Sequence, residues 1–325
     1  MARRLASISV DLDSLPHYCR IHGLPESLLD ARARGLVYRA AVPRLRALLA
    51  EVGVPGTFFA IGEDVEADAG AREALRAAHA AGVEVASHSH AHDYALTRRP
   101  PALILEDLRR ADAVLAAATG ARPVGFRAPG YTLTAPLYAA TVALGYRYGS
   151  STFPATPYYL AKAAVMGALA LGGRPSRAVL DSPRVLLAPR APYRPAPSQP
   201  YARGDGPVLE LPMTVTPGTR LPFIGTFVTT LPRPAVRAAY LACRGEPFFN
   251  LELHAVDVLD AHDGIPPALV RQQRDLGVPA ARKLDRLRAV FEWLRADYDV
   301  VTLRDAAAGL APGLTARPGP SAPAA

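Results

Sequence analysis

Short apolar, β-like runs alternate with amphipathic helical segments along most of this chain, and that alternation limits its fold more than any other feature. ASISVDLD, TFFAIG, VEVASHS, VGFRAPG and YRYGSS read as strands, and VLELPM, FFNLELH and DVVTL take up the series again after an interruption. Between them, Val42, Leu45, Leu49 and Val52 recur at helical spacing, as do Ile104, Leu108, Ala111 and Leu115. AREALRAAHAAG reads as a helix stopped by Gly82, and Thr134 is a candidate N-cap with Pro136 in the first turn of the helix that follows. Further helices are expected from Pro234 and over 280–296. Seven or eight βα units predict an α/β chain built as a parallel barrel or a doubly wound sheet.

The polar residues favour the barrel. DLD, SHSHAHD, RAPGY, GSS and the His254 of LELHAVD all follow the C-terminal ends of expected strands. Barrels place their chemistry around that rim, whereas an open sheet concentrates it at one switch point. No G-x-G-x-x-G or Walker-type loop follows a strand, so nucleotide binding lacks its signature. One domain is expected over 1–310. It is interrupted by a Pro-, Ala- and Arg-rich insertion at about 152–206 and followed by a disordered tail over 311–325.

Lys and Arg number 37 against 29 Asp and Glu, a net charge of +8. The arginines are scattered in runs no longer than two, which argues against nucleic acid and leaves an anionic surface or substrate. Cys19 and Cys243 have no paired spacing, so neither a disulfide scaffold nor a thiolate zinc site is expected. The N-terminal MARRLASISVDLDS has no apolar stretch of signal-peptide length, and no segment reaches the ~18 apolar residues of a membrane span. The expected setting is the cytoplasm.

Two clusters could carry chemistry. Asp11 and Asp13 close an apolar run, and on a pleated strand their carboxylates share one side. Like charges that close repel unless a cation or a proton lies between them, so the pair is either a metal or proton site or a solvated turn. SHSHAHD spends three of the chain's eight histidines in seven residues. On a helical turn His88 and His92 would share a face, with His90 turned away. Two imidazoles and one carboxylate make a common open zinc set.

Taken together, the motifs resemble the polysaccharide deacetylase family, the carbohydrate esterases related to nodulation-factor deacetylases. SVDLDS is similar to a variant of that family's paired-aspartate motif, and HSHAH to its His-Ser/Thr-x-x-His motif. RAPGY matches its Arg-x-Pro motif, and LELH its last strand ending in His, all in family order over about residues 5–305. The resemblance implies a deformed (β/α) barrel and a divalent metal held by Asp13, His88 and His92. That metal would be zinc, with cobalt, nickel, manganese or iron as alternatives. It further implies Asp11 as general base, Arg127 as the partner that orients Asp11, and His254 as the general acid. A backbone amide at Gly130 or Tyr131 would face the oxyanion.

Two departures bear on that transfer. The family's Tyr-Gly after the proline is here Gly130–Tyr131, and its Asp-Trp motif, whose carboxylate holds the acid histidine, is not visible. Glu210 and Asp257 are the candidates for that support. The relaxed motifs look closer to the branch containing the deformylase of undecaprenyl-linked formamido-arabinose. The expected activity is hydrolysis of an N-acetyl or N-formyl amide on an amino sugar or glycan. Hydrolysis of a cyclic imide or ureide and a catalytically inactive glycan- or lipid-binding barrel are the rivals. Tyr158–Leu171 is apolar nearly all round. It is expected either to pack as a lid or core helix or to touch the inner membrane surface.

Overall fold

The computed structural model describes residues 4–171 and 179–314. All eight expected strands are present: β1 (Leu5–Asp11), β2 (Thr57–Ala60), β3 (Glu84–Ser87), β4 (Gly125–Phe126), β5 (Tyr148–Gly149), β6 (Leu209–Glu210), β7 (Phe248–His254) and β8 (Asp299–Val300). They form one parallel sheet centred on β1. Along one edge β1 pairs with all of β7, from Leu5↔Phe248 to Asp11↔His254. Its other edge is shared. β8 takes Leu5 and Ala6, while β2 takes Ser9 to Asp11 and passes the sheet on through β3, β4, β5 and β6. Among the described residues no ladder joins β6 to β7. That gap is spanned by Thr214 N donating to Asn250 O (3.1 Å) and by a single bridge between Ile224 and Glu252. The architecture is therefore α/β with a parallel half-barrel, and this open edge is its deformation.

The pleat sorts side chains by period two. Ala6, Ile8 and Val10 of β1 and Phe249, Leu251 and Leu253 of β7 join the apolar layer beneath the helices. Ser9 and Asp11 take the opposite face, as do Asn250, Glu252 and His254, whose side chains meet inside the barrel. The helices bury the spacing read from the sequence: Val42, Leu45, Leu49 and Val52 on Val42–Val52, and Ile104, Leu108, Ala111 and Leu115 on Pro101–Thr119. Thr134 stands at the N-cap position of Ala135–Ala143, but its side chain makes no cap bond there.

The floor of the barrel is a small polar plug. Buried Glu84 accepts from Thr57 Oγ1 (2.9 Å), Tyr148 Oη (2.9 Å) and the amide of Arg304 at the start of the last helix (2.9 Å). Tyr148 lies across Gly125, which leaves no room for a β-carbon there.

The insertion leaves β5 as the helix Thr156–Leu171. After residues 172–178, which lie outside the described residues, it continues as a 3-10 turn at Pro183–Leu187 and a hairpin at Pro195–Ala196 and Gln199–Arg203. Of the expected tail, 315–325 lie outside the described residues. Ala311–Gly313 form a 3-10 turn, and the Leu314 carbonyl accepts from Arg194 Nε (2.7 Å). Cys19 and Cys243 are both free and buried. Among the described residues no helix is long and apolar enough to cross a membrane.

Gly125→Ala should overpack the barrel floor and lower unfolding free energy by about 1–3 kcal/mol. Chemical denaturation measures this, and pairing it with Tyr148→Ala should relieve the overpacking.

Candidate active site

Every candidate residue leaves the C-terminal end of a strand. Asp11 ends β1, with Asp13 two residues on. His88 follows β3, its amide bonded to Ala60 O (2.9 Å), and Arg127 follows β4, its amide bonded to Ser87 O (3.0 Å). His254 ends β7 beside Asp11 in register.

Arg127 is fully buried and donates from all three guanidinium nitrogens. Nε donates to Ser150 O (2.8 Å), Nη2 to Ser9 Oγ and Ser150 Oγ (2.8 Å each), and Nη1 to Asp11 Oδ1 (2.5 Å). Its plane lies over the Phe59 ring at 4.1 Å. Burial pushes the Asp11 carboxyl above its ordinary value, even against the pull of Arg127.

Asp13, His88 and His92 present ligand atoms within 4.8 Å of one another. Asp13 lies 3.3 Å from His88 Nε2 and 3.4 Å from His92 Nε2. His88 Nδ1 is 2.8 Å from Arg127 O, the arrangement that leaves the Nε2 lone pair free for a metal. Burial pushes the Asp13 carboxyl up, but the neighbouring imidazoles of His92 and His88 outweigh it and hold the group far below its usual range. Asp13 Oδ1, Asp11 Oδ2 and both nitrogens of His92 are buried without a hydrogen-bond partner. Two imidazoles and a carboxylate with orphaned donor atoms on a common point fit a divalent cation.

The HSHAH segment is not the helical turn expected from its spacing. Ser89 (φ 66°) and His92 (φ 48°) adopt left-handed backbone. Asp107 accepts from the His90 and Ala91 amides (2.9 and 3.1 Å), and His92 N donates to Ser89 Oγ (3.1 Å). This folded loop, rather than helical periodicity, brings the two rings to 4.8 Å. His90 does turn away, to Glu66 (3.1 Å).

His254 is supported by neither expected carboxylate. Glu210 Oε1 accepts from the Ser151 and Thr152 amides (2.6 Å each), fastening the loop after β5. Asp257, pushed up to about 7 chiefly by burial, accepts from the His254 backbone N–H (2.8 Å) rather than from its ring. The ring partner is Glu252, 3.0 Å from Nδ1, with Tyr131 Oη 3.2 Å from both Nε2 and Glu252 Oε1. Burial alone would depress the imidazole, but Glu252 overrides it and lifts His254 well above its usual value. The sequence held this signal in LELH itself, because residues two apart on a strand share a face.

Gly130 (φ 64°) and Tyr131 (φ 62°) both lie in the left-handed region. The Tyr131 amide donates to Ala128 O (3.0 Å), which leaves Gly130 as the candidate oxyanion amide. A second residue missed from the sequence is His17. It is buried, neither of its nitrogens makes a hydrogen bond, its ring centroid is 4.6 Å from that of His92, and its Nε2 lies within ion-pair distance of Asp64, at 3.4 Å. Its position four residues after Asp13 was the available signal.

The polysaccharide deacetylase family profile matches residues 34–149, the stretch that carries His88, His92 and Arg127. Across the whole chain the fold is that of a solved Mycobacterium smegmatis protein assigned provisionally to the polysaccharide deacetylases. The two are 20% identical with a TM-score of 0.62, covering 100% of this chain and 96% of that one. A family 4 carbohydrate esterase from Streptomyces lividans, solved with acetate, is 21% identical over 46% of this chain and 63% of its own (TM-score 0.35). A family 4 pseudoenzyme from Bacillus anthracis is 11% identical over 94% and 66% (TM-score 0.45). The comparison with curated protein sequences gave no match. None of these matches separates deacetylases from the deformylase branch. Asp11, Asp13 and His254 lie outside the matched stretch, and the half-barrel carries them to the deacetylase-like His88, His92 and Arg127.

Glu252→Gln should move the alkaline limb of any activity that needs protonated His254. Glu252 raises the imidazole pKa, so its loss lowers that pKa, and activity should fall at a lower pH than in the wild type. A kcat–pH profile reads the shift.

Proposed function

We propose that this protein is a metal-dependent hydrolase that removes an N-acyl group, acetyl or formyl, from an amino sugar. The observation that carries the reading is that Arg127-bound Asp11 and Glu252-bound His254 stand together beside the Asp13–His88–His92 cluster, with Asp11 3.8 Å from His88. Asp13, His88 and His92 would hold the ion, zinc or another divalent metal, which supplies Lewis acidity toward water and the amide carbonyl.

The chain's own residues divide the proton traffic. Asp11, kept in orientation by Arg127, takes the proton of the attacking water. His254, charged through Glu252, gives a proton to the departing nitrogen, so that water and amide become a carboxylate and an amine. Tyr131 Oη holds the Nε2 side of that imidazole until substrate arrives. The Gly130 amide faces the oxyanion.

His254 is the open side of the site, with its side chain 24% exposed. Beside it Tyr131, Phe153, Tyr158 and Tyr159 line a slot that also holds Lys162 and Asp181. The slot has a free volume of about 20 Å³, room for a water rather than a sugar ring, so its aromatic faces border the approach to His254. The helix Thr156–Leu171 forms one wall of this slot, and its Leu160 and Val165 are 58% and 60% exposed, so its outer face is free for contact with a membrane surface on the cytoplasmic side.

Asp11→Asn should retain bound metal and lose about 10²–10⁴-fold in kcat on an N-acetyl amino sugar. His254→Ala should also retain metal and lose less on substrates with better leaving groups. Full activity of either variant would remove that residue from the mechanism. Metal-loaded wild type that hydrolyses no N-acyl sugar would sink the enzyme reading in favour of an inactive binding barrel.

A further inference from the structure

The loops that leave β5 and β6 build a groove outside the acid–base centre. It has a volume of about 450 Å³ and is lined by Arg184, Leu187, Ala188, Tyr201, Arg203 and Arg220, with no acidic residue in its wall. Among the described residues none of these three arginines pairs with a carboxylate. Arg184 donates to Gln199 Oε1 (2.6 Å), Arg203 reaches Pro192 O at 3.5 Å, and Arg220 donates to Ala188 O (3.2 Å) and Pro154 O (3.4 Å). Nearby Arg190, by contrast, is satisfied by Glu246 at 3.0 Å.

The groove thus gathers positive charge with no counter-charge. Arg220 shows the cost. Its backbone is held in the left-handed region (φ 51°) by a turn in which Arg220 N donates to Thr216 O and Thr216 N to Leu221 O. Burial, and then repulsion from Arg190, depress its guanidinium. Unpaired, partly fixed guanidiniums match the bidentate geometry of phosphate oxygens.

The groove also shares a wall with the aromatic slot beside His254. The Pro183–Leu187 turn presents Val185 to the slot, and Arg184 and Leu187 to the groove. Tyr201 on the groove side donates to Asp181 on the slot side.

We propose that this groove binds a phosphate group carried by the substrate, its phosphate ester or diester lying on Arg184, Arg203 and Arg220, across the Pro183–Leu187 turn from the aromatic slot. This rests on the deacylase reading for the sugar, but the phosphate site can be tested apart from it. The source of the phosphate is either a soluble sugar phosphate or the headgroup of a lipid-linked sugar.

The test uses the full metal-loaded chain and the double variant Arg184→Glu/Arg203→Glu. Both side chains are exposed, so its melting temperature should match the wild type. Inorganic pyrophosphate, titrated calorimetrically, should bind the wild type and bind the variant at least tenfold more weakly. KM for N-acetylglucosamine 1-phosphate, or for the same sugar phosphate on a lipid carrier in vesicles, should rise by a similar factor with kcat unchanged. N-acetylglucosamine without phosphate should be handled alike by both proteins. A rise in KM only for the soluble ester, or only for the carrier-linked one, supports the groove and identifies the source. Equal pyrophosphate affinity of variant and wild type overturns the proposal. Loss of pyrophosphate binding in the variant, with no hydrolysis of any acylated sugar by the wild type, keeps the phosphate site and rejects the deacylase.

Discussion

A guanidinium buried at the top of the barrel fixes the rest of the site. Arg127 makes bonds to Ser9 on β1, to Ser150 just beyond β5 and to Asp11, and Asn250 of β7 closes the network through Ser9 Oγ (3.0 Å) and Ser150 Oγ (2.9 Å). One cation thus ties together four strands, including the two, β1 and β7, whose ends carry the acid–base groups. Burying such a charge is costly, and it persists because each of its three nitrogens donates and its partner carboxylate is also buried. Removing either member would strand the other, at about 3–5 kcal/mol. The interaction that orients Asp11 is therefore also one that holds the sheet in its half-closed form across an edge no ladder seals.

Around that anchor, neighbouring groups are pushed in opposite directions. Burial raises Asp11, whereas two imidazoles hold the equally buried Asp13 far down. Glu252 lifts His254 well above its usual value, and burial drives His92 well below its own. A carboxylate inclined to take a proton, an imidazole inclined to give one, and beside them a neutral imidazole and an anionic carboxylate with unpartnered atoms are the separations that acid–base chemistry around a cation needs. Sequence distance has no bearing on this. Asp11 and His254 are about three quarters of the chain apart and neighbours in register.

Much of this was legible in the sequence. Short apolar runs with period-two alternation located all eight strands, and the residues just past them located the rim. The failures have physical reasons. HSHAH suggested a helical turn because i,i+4 spacing does, but the fold of the loop, with positive φ at Ser89 and His92, is held by Asp107 of the helix Pro101–Thr119 and leaves no mark within the motif itself. The support for His254 was sought in residues with conspicuous neighbours, Glu210 and Asp257, while the pleat had already placed Glu252 on the same face. Tyr158–Leu171 is apolar in composition. Whether such a helix lies in the core or at the surface is decided by what packs on it, and here Leu160 and Val165 face outward.

The account stands most directly on the cluster of Asp13, His88 and His92. Chelator-stripped protein titrated with zinc, and separately with cobalt to follow its absorption, should take up one equivalent, with uptake lost in His88→Ala and in Asp13→Ala while both variants stay folded. Wild-type protein that binds neither metal, or variants that bind as the wild type does, would contradict it.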